Sequence, residues 1–135
     1  MLEKRVGLDV IDGLRHVNNA AYVAWCEEAA WQHSESLGVS LADYQELDRA
    51  MAIRHSEYDY ILSAYEGEEL RIGTWLTASD GRLSMERRFQ IVRASDGAVL
   101  LRGVWQLVCI EISSGKPRRM PKEFLEVYTP AVVAE

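Results

Sequence analysis

Between residues 19 and 37 the apolar side chains Tyr22, Trp25, Cys26, Ala29, Ala30 and Leu37 recur every three or four positions, the spacing of one face of an α-helix. No proline or glycine interrupts this run before Gly38. From residue 51 onward the pattern shortens to strand-like runs separated by turn residues, and no second helical pattern of that length follows. One dominant helix beside a series of strands restricts the chain to an α+β architecture, in which a sheet has a single long helix to wrap.

The remaining elements follow from local signals. Residues 3–10 alternate, with Lys4, Val6, Leu8 and Val10 on one side, and suggest a first strand. Asn18 suits the N-cap of the long helix, because its short side chain can accept a free first-turn N–H, and Gly38 suits the position just past the C-terminus. A shorter helix is expected over residues 40–50, with Ser40 as its cap and Leu41, Tyr44 and Leu47 on its apolar face. Strands are expected at 51–62, 69–78, 82–92 and 98–111. Ser79-Asp80-Gly81 and Ser95-Asp96-Gly97 provide Asp-Gly hairpin signals, and the four strands read as an antiparallel meander. Pro121 is placed to open a final short helix through Tyr128.

The chemistry concentrates just upstream of the long helix, in the stretch DGLRHVNNAAY. A carboxylate (Asp12), an imidazole (His16) and two amides (Asn18, Asn19) lead into a helix start whose unpaired N–H groups and positive dipole end can stabilise a developing oxyanion. Asp12 can attack an acyl carbonyl or act as base on water, while the N–H of Asn19 or Ala20 polarises that carbonyl. His16 can hydrogen-bond the carbonyl, orient Asp12 or support the loop. Asn18 is foremost a cap. Tyr22 and Trp25 lie on the apolar helix face, where packing is the common role and lining an acyl pocket the functional one. The plain alternative for Asp12 is a turn residue preceding Gly13.

Asp12, His16-Val17-Asn18-Asn19-Ala20, Tyr22 and Glu27-Glu28-Ala29 together resemble the signature of the 4-hydroxybenzoyl-CoA thioesterase family of hotdog-fold proteins. The likeness is strongest to its acyl-CoA and acyl-carrier-protein branches. It extends more weakly through Asp59-Tyr60, Ala64, Gly67-Glu68-Glu69-Leu70, and Cys109-Ile110-Glu111 to Met120-Pro121. The resemblance implies a hotdog fold with Asp12 as the catalytic acid and His16 next to the site; the residues themselves add Asn19 as a catalytic candidate and Asn18, Tyr22 and Trp25 as substrate-binding candidates, in one domain over residues 1–135. The resemblance further implies a homodimer or dimer of dimers with sites at the subunit boundary. No cofactor is expected beyond the coenzyme A carried by the substrate. The chain departs from the family where Val10 stands for a frequent Asp, Leu14 for the Asn of plant-type carrier-protein enzymes, and Arg15 for a frequent Gly or Gln. These departures bear on substrate choice more than on reaction type.

Composition bounds the rest. At 135 residues the chain has the length of one domain, and a formal charge of −6 argues against nucleic acid or an anionic membrane as partner. No apolar run approaches the roughly 20 residues that cross a bilayer. Met1-Leu2 followed by Glu3, Lys4 and Arg5 does not read as a signal peptide, so a cytoplasmic location is expected. Cys26 and Cys109 form neither a metal-ligand spacing nor a disulfide framework, and no metal is expected. His33 and His55 read as structural. Glu27 and Glu28 read as solvated or partner-facing, and Trp31 on their side hints at a covered surface. Arg87, Arg88, Lys116, Arg118, Arg119 and Lys122 could receive phosphates of coenzyme A, although solvated surface charge is the commoner meaning. Gly38-Val39-Ser40 is a poor match to a serine nucleophile elbow. Two rival functions are a non-catalytic acyl-binding or regulatory hotdog domain and a hotdog hydratase or dehydratase; the latter lacks its Asn-Pro spacing here.

Overall fold

The computed structural model describes residues 1–133. Strand β1 (Leu2–Arg5) is followed by a 3-10 turn at Leu8–Val10, helix α1 (Asn19–Leu37), helix α2 (Leu41–Leu47) and strand β2 (Arg49–Tyr60). Strands β3 (Glu69–Ser79), β4 (Ser84–Arg93) and β5 (Val99–Glu111) come next, then helix α3 (Lys122–Tyr128) and a closing 3-10 turn at Thr129–Ala131. The five strands form one sheet in the order β1-β3-β4-β5-β2.

The long helix begins and ends where its caps place it. The Asn18 side chain accepts the Ala20 N–H at 2.8 Å, and the Asn18 carbonyl accepts that of Ala21 at 2.9 Å. At the far end Gly38 takes φ +109°, a conformation that a β-carbon would oppose, and its N–H reaches back to the Ser34 carbonyl at 3.1 Å. The buried stripe is Tyr22, Trp25, Cys26, Ala29 and Ala30, and it continues through Ser34.

Three expectations are corrected. The first strand stops at Arg5 rather than residue 10: Val6 still exchanges backbone hydrogen bonds with Glu68 and Gly67, at 2.9 and 2.8 Å, and the chain then turns away into the 3-10 turn at Leu8–Val10. The second helix stops at Leu47 rather than residue 50. Asp48 adopts a left-handed conformation (φ 53°) that ends the helix, and its carboxylate takes the N–H and hydroxyl of Ser113 at 3.0 and 2.6 Å. The meander holds for β3, β4 and β5 only. The link over residues 61–68 is too long for a hairpin turn, and it carries the chain from β2, at the edge beside β5, to β3. The final short helix is found as expected, opened by Pro121 and running through Tyr128; Pro121 stands at the cap in an extended conformation (φ −68°, ψ 162°), accepting the N–H groups of Phe124 and Leu125 through its carbonyl.

By contacts the chain divides into two compact units, and α1 and β2–β5 contribute residues to both. The first comprises Met1–Gln32, Tyr58–Thr74 and Phe89–Gly103. Its core holds Val17, Tyr22, Cys26, Leu70, Ile72 and Phe89. The second comprises His33–Glu57, Trp75–Arg88 and Val104–Glu135. Its core holds Tyr44, Leu76, Trp105, Phe124 and Tyr128, together with the buried polar residues Ser34 and Arg87. The Tyr128 hydroxyl joins that polar group, 2.7 Å from the Tyr44 hydroxyl and 3.1 Å from Ser34 Oγ.

Candidate active site

Residues 11–17 make a tight antiparallel loop closed by the Ile11–Val17 bridge. Within it the Asp12 N–H donates to the His16 carbonyl at 2.9 Å, and the Arg15 N–H to the Asp12 carbonyl at 3.0 Å. The turn is completed by Arg15 at φ 63°, a left-handed conformation that side chains other than glycine rarely adopt. The Asp12 carboxylate serves this turn through one oxygen. Its Oδ1 accepts the Leu14 N–H at 2.9 Å and the His16 N–H at 3.4 Å. The plain turn role is therefore real, and among the described residues it engages Oδ1 and not Oδ2.

Below the loop the chain is stitched to the start of α1 and to the segment after β2. The Val17 N–H donates to the Ala64 carbonyl at 3.1 Å and the Asn18 N–H to the Val10 carbonyl at 2.7 Å. The Ala64 N–H in turn donates to the Tyr22 hydroxyl at 3.0 Å. These bonds frame an open cleft of about 440 Å³. Its polar wall is Asp12, His16, Asn18, Asn19 and Ser63, and its apolar wall is Leu14, Val17, Tyr22, Tyr60, Ile61 and Leu62.

Five of the six site residues named from sequence thus line one cleft: Asp12, His16, Asn18, Asn19 and Tyr22. Trp25 does not. It is 8 % exposed, and its ring meets Tyr22 edge-on at 5.7 Å, so it packs in the core rather than lining the site. The two amides proposed to polarise a carbonyl also differ. That of Ala20 is spent on the Asn18 cap, whereas among the described residues the Asn19 N–H has no capping partner. His16 meets the Asp12 carboxylate through its backbone N–H, while its ring nitrogen Nδ1 lies 3.3 Å from Ser63 Oγ. Burial raises the Tyr22 pKa above its ordinary value, keeping the phenol protonated.

Ser63, Leu14 and the Tyr60–Leu62 strip were missed as lining. The sequence carried a trace of them in Asp59-Tyr60 and Ala64, but nothing local showed that this link folds back onto the helix start. Both cysteines are buried thiols, Cys26 pushed up to about 12 and Cys109 to about 11 by burial, which removes them as nucleophiles near neutral pH. Among the described residues no group of three His, Cys, Asp or Glu is placed to hold a metal.

The thioesterase-like superfamily matches residues 6–127 of the chain. The chain belongs to that superfamily. No curated protein matches it. Among solved structures it is similar to a 1,4-dihydroxy-2-naphthoyl-CoA thioesterase from Synechocystis, at 23% identity over 93% of each chain with a TM-score of 0.81. A DHNA-CoA thioesterase from Staphylococcus aureus aligns at 21% identity over 96% of this chain and 87% of the other, TM-score 0.86. The probable thioesterase YbaW from Escherichia coli aligns at 24% identity over 98% of both, TM-score 0.83. The hotdog fold and the thioester hydrolase class read from the sequence are borne out.

Within this thioesterase-like chain several of the basic residues set against coenzyme A phosphates already have partners. Arg87 is 2 % exposed and donates to His33 Nδ1 at 2.9 Å, which corrects its reading as surface charge or phosphate ligand. Arg88 pairs with Glu86 at 2.7 Å, and Arg118 and Lys122 each lie 3.6 Å from a glutamate. Glu28 pairs with Lys4 at 2.8 Å, and His55 with Glu57 at 2.9 Å on the surface. Among the described residues no helix is long and apolar enough to cross a membrane.

Proposed function

We propose that the superfamily's thioester hydrolysis is carried out here on acyl-CoA in the cleft at the start of α1. Oδ2 of Asp12 attacks the acyl carbon or takes a proton from the attacking water. The Asn19 N–H, with the positive end of the helix behind it, stabilises the charge that develops on the carbonyl oxygen. His16 assists from the same wall, and Tyr22 with the Tyr60–Leu62 strip receives the acyl group. Coenzyme A enters as part of the substrate and no further cofactor takes part. The observation that carries this reading is the meeting of a carboxylate, an imidazole and a first-turn amide on one cleft. Its test is release of free thiol from a panel of aliphatic and aromatic acyl-CoAs, with carrier-protein thioesters beside them. Turnover of the CoA esters in preference to the carrier esters is the expected result.

A second copy of the chain is part of the proposal. Strand β2 is a sheet edge whose residues 53–57 are exposed, and an unpaired edge of that length invites pairing with an identical strand. A cytoplasmic setting belongs to the same reading, supported by two cysteines kept as buried thiols. One observation favours a non-catalytic acyl-binding domain as the second reading: Asp12 already has a structural task in its own turn. Acyl-CoA binding without thiol release would decide for it.

A further inference from the structure

The residues just after β2 are held more firmly than an exposed link requires. Ser63 offers its carbonyl to Arg93 Nη2 at 3.2 Å. Ala64 gives its N–H to the Tyr22 hydroxyl at 3.0 Å and takes that of Val17 on its carbonyl at 3.1 Å. Tyr65 gives its N–H to Glu68 Oε1 at 2.7 Å. Arg93 is itself fixed by ion pairs to Glu68 and Asp96. Three consecutive residues are thus pinned through their backbones, although Tyr65 is 48 % exposed.

Two side chains of this pinned segment meet one imidazole. Ser63 Oγ lies 3.3 Å from Nδ1 of His16, and the Tyr65 ring stands perpendicular to the His16 ring, at 89° with centroids 5.4 Å apart. A neutral imidazole carries one proton on two nitrogens, so whether a hydroxyl donates to Nδ1 or accepts from it goes together with whether Nε2 is bare or protonated. We infer that Ser63 is a positioning residue for His16: its hydroxyl engages Nδ1, the Tyr65 ring limits rotation, and Nε2 is the nitrogen presented to the acyl thioester. This rests on the reading of the cleft as a thioesterase site in which His16 assists. Ser63 touches no reacting atom and acts only through the ring.

The test uses Ser63→Ala and Ser63→Thr in the full chain, alone and with His16→Gln, together with ¹⁵N NMR of the His16 ring. In Ser63→Ala, kcat falls roughly tenfold with KM within about twofold, as loss of one aligned hydrogen bond implies, and Ser63→Thr recovers most of it. In the His16→Gln background the same Ser63→Ala change alters kcat by less than about twofold, because coupled residues are not additive. The ring nitrogen shifts report one dominant tautomer in wild type and a mixture in Ser63→Ala. An equal loss in both backgrounds, or unchanged nitrogen shifts in Ser63→Ala, overturns the inference. If wild type cleaves no thioester, the functional reading fails by itself, and the nitrogen shifts still decide whether Ser63 sets the tautomer.

Discussion

The Tyr22 hydroxyl accepts the backbone N–H of Ala64 at 3.0 Å, tying the first turns of α1 to the segment that follows β2. Both residues are buried, at 3 % and 0 % exposure, so neither partner has water as a substitute. Tyr22→Phe strands the Ala64 amide and is expected to lower stability by about 1–3 kcal/mol. Because Tyr22 lines the cleft, kcat/KM falls as well. Urea denaturation and steady-state kinetics on the same variant check both, and an unchanged urea midpoint would refute the role given to this bond.

Arg15 holds a left-handed backbone at φ 63° within the loop that carries Asp12. Strain of that kind is about 1–2 kcal/mol for an L-residue and is relieved by glycine, whose own entropic penalty offsets part of the gain. Arg15→Gly is therefore expected to leave the melting temperature unchanged or raise it, whereas Arg15→Val lowers it. Thermal unfolding of the pair tests the contrast, and the opposite order would contradict it.

Asn18 combines a cap with a place on the cleft wall. Asn18→Ala should lose about 1 kcal/mol of stability, the usual value of an N-cap. Asn18→Asp keeps the capping oxygen and favours the helix dipole, so stability is retained. The added negative charge beside the first turn opposes an oxyanion there, and activity drops all the same. Full activity in a stable Asn18→Asp enzyme would argue against an oxyanion at this helix start.

Stability should also depend on pH through His33. Burial, and then the adjacent Arg87 guanidinium, hold its pKa below the ordinary 6.5. The unfolded chain therefore binds a proton at a pH where the folded chain does not, and stability falls as pH drops from 6.5 toward the depressed folded value. Above 6.5 this residue contributes no slope. His33→Gln keeps a neutral acceptor for Arg87 and should flatten the curve, measured as urea midpoint against pH. A wild-type midpoint rising with acid through this window would contradict the assignment.

The sequence spoke most clearly where the physics is local. The α1 boundaries follow from Asn18, Gly38 and a stripe of three-and-four spacing, and the two Asp-Gly turns delivered the β3-β4-β5 meander. The turn chemistry repeats in space: Asp80 Oδ1 accepts the N–H groups of Arg82, Leu83 and Ser84, and Asp96 Oδ1 that of Ala98. What stayed hidden is nonlocal. That β2 lies beside β5, and that the chain just past β2 still reaches the Leu100 carbonyl through the Ile61 and Leu62 N–H groups at 2.9 and 3.2 Å, are long-range choices that no periodicity encodes. Arg87 reads as surface charge in a strand of alternating polarity, yet its partner His33 comes from a helix far away in the chain. Ser63 escaped notice for the same reason, since its meaning lies in a residue 47 positions upstream.

Asp12→Asn tests the central claim most directly. Asparagine retains an Oδ1 that can accept the Leu14 and His16 N–H groups, so the turn survives while the carboxylate is lost. With melting temperature and acyl-CoA binding unchanged, thiol release from the best acyl-CoA substrate is expected to fall by about 10²–10⁴-fold, the range over which positioned acid–base groups act. Release by the variant at the wild-type rate would contradict a carboxylate mechanism at Asp12.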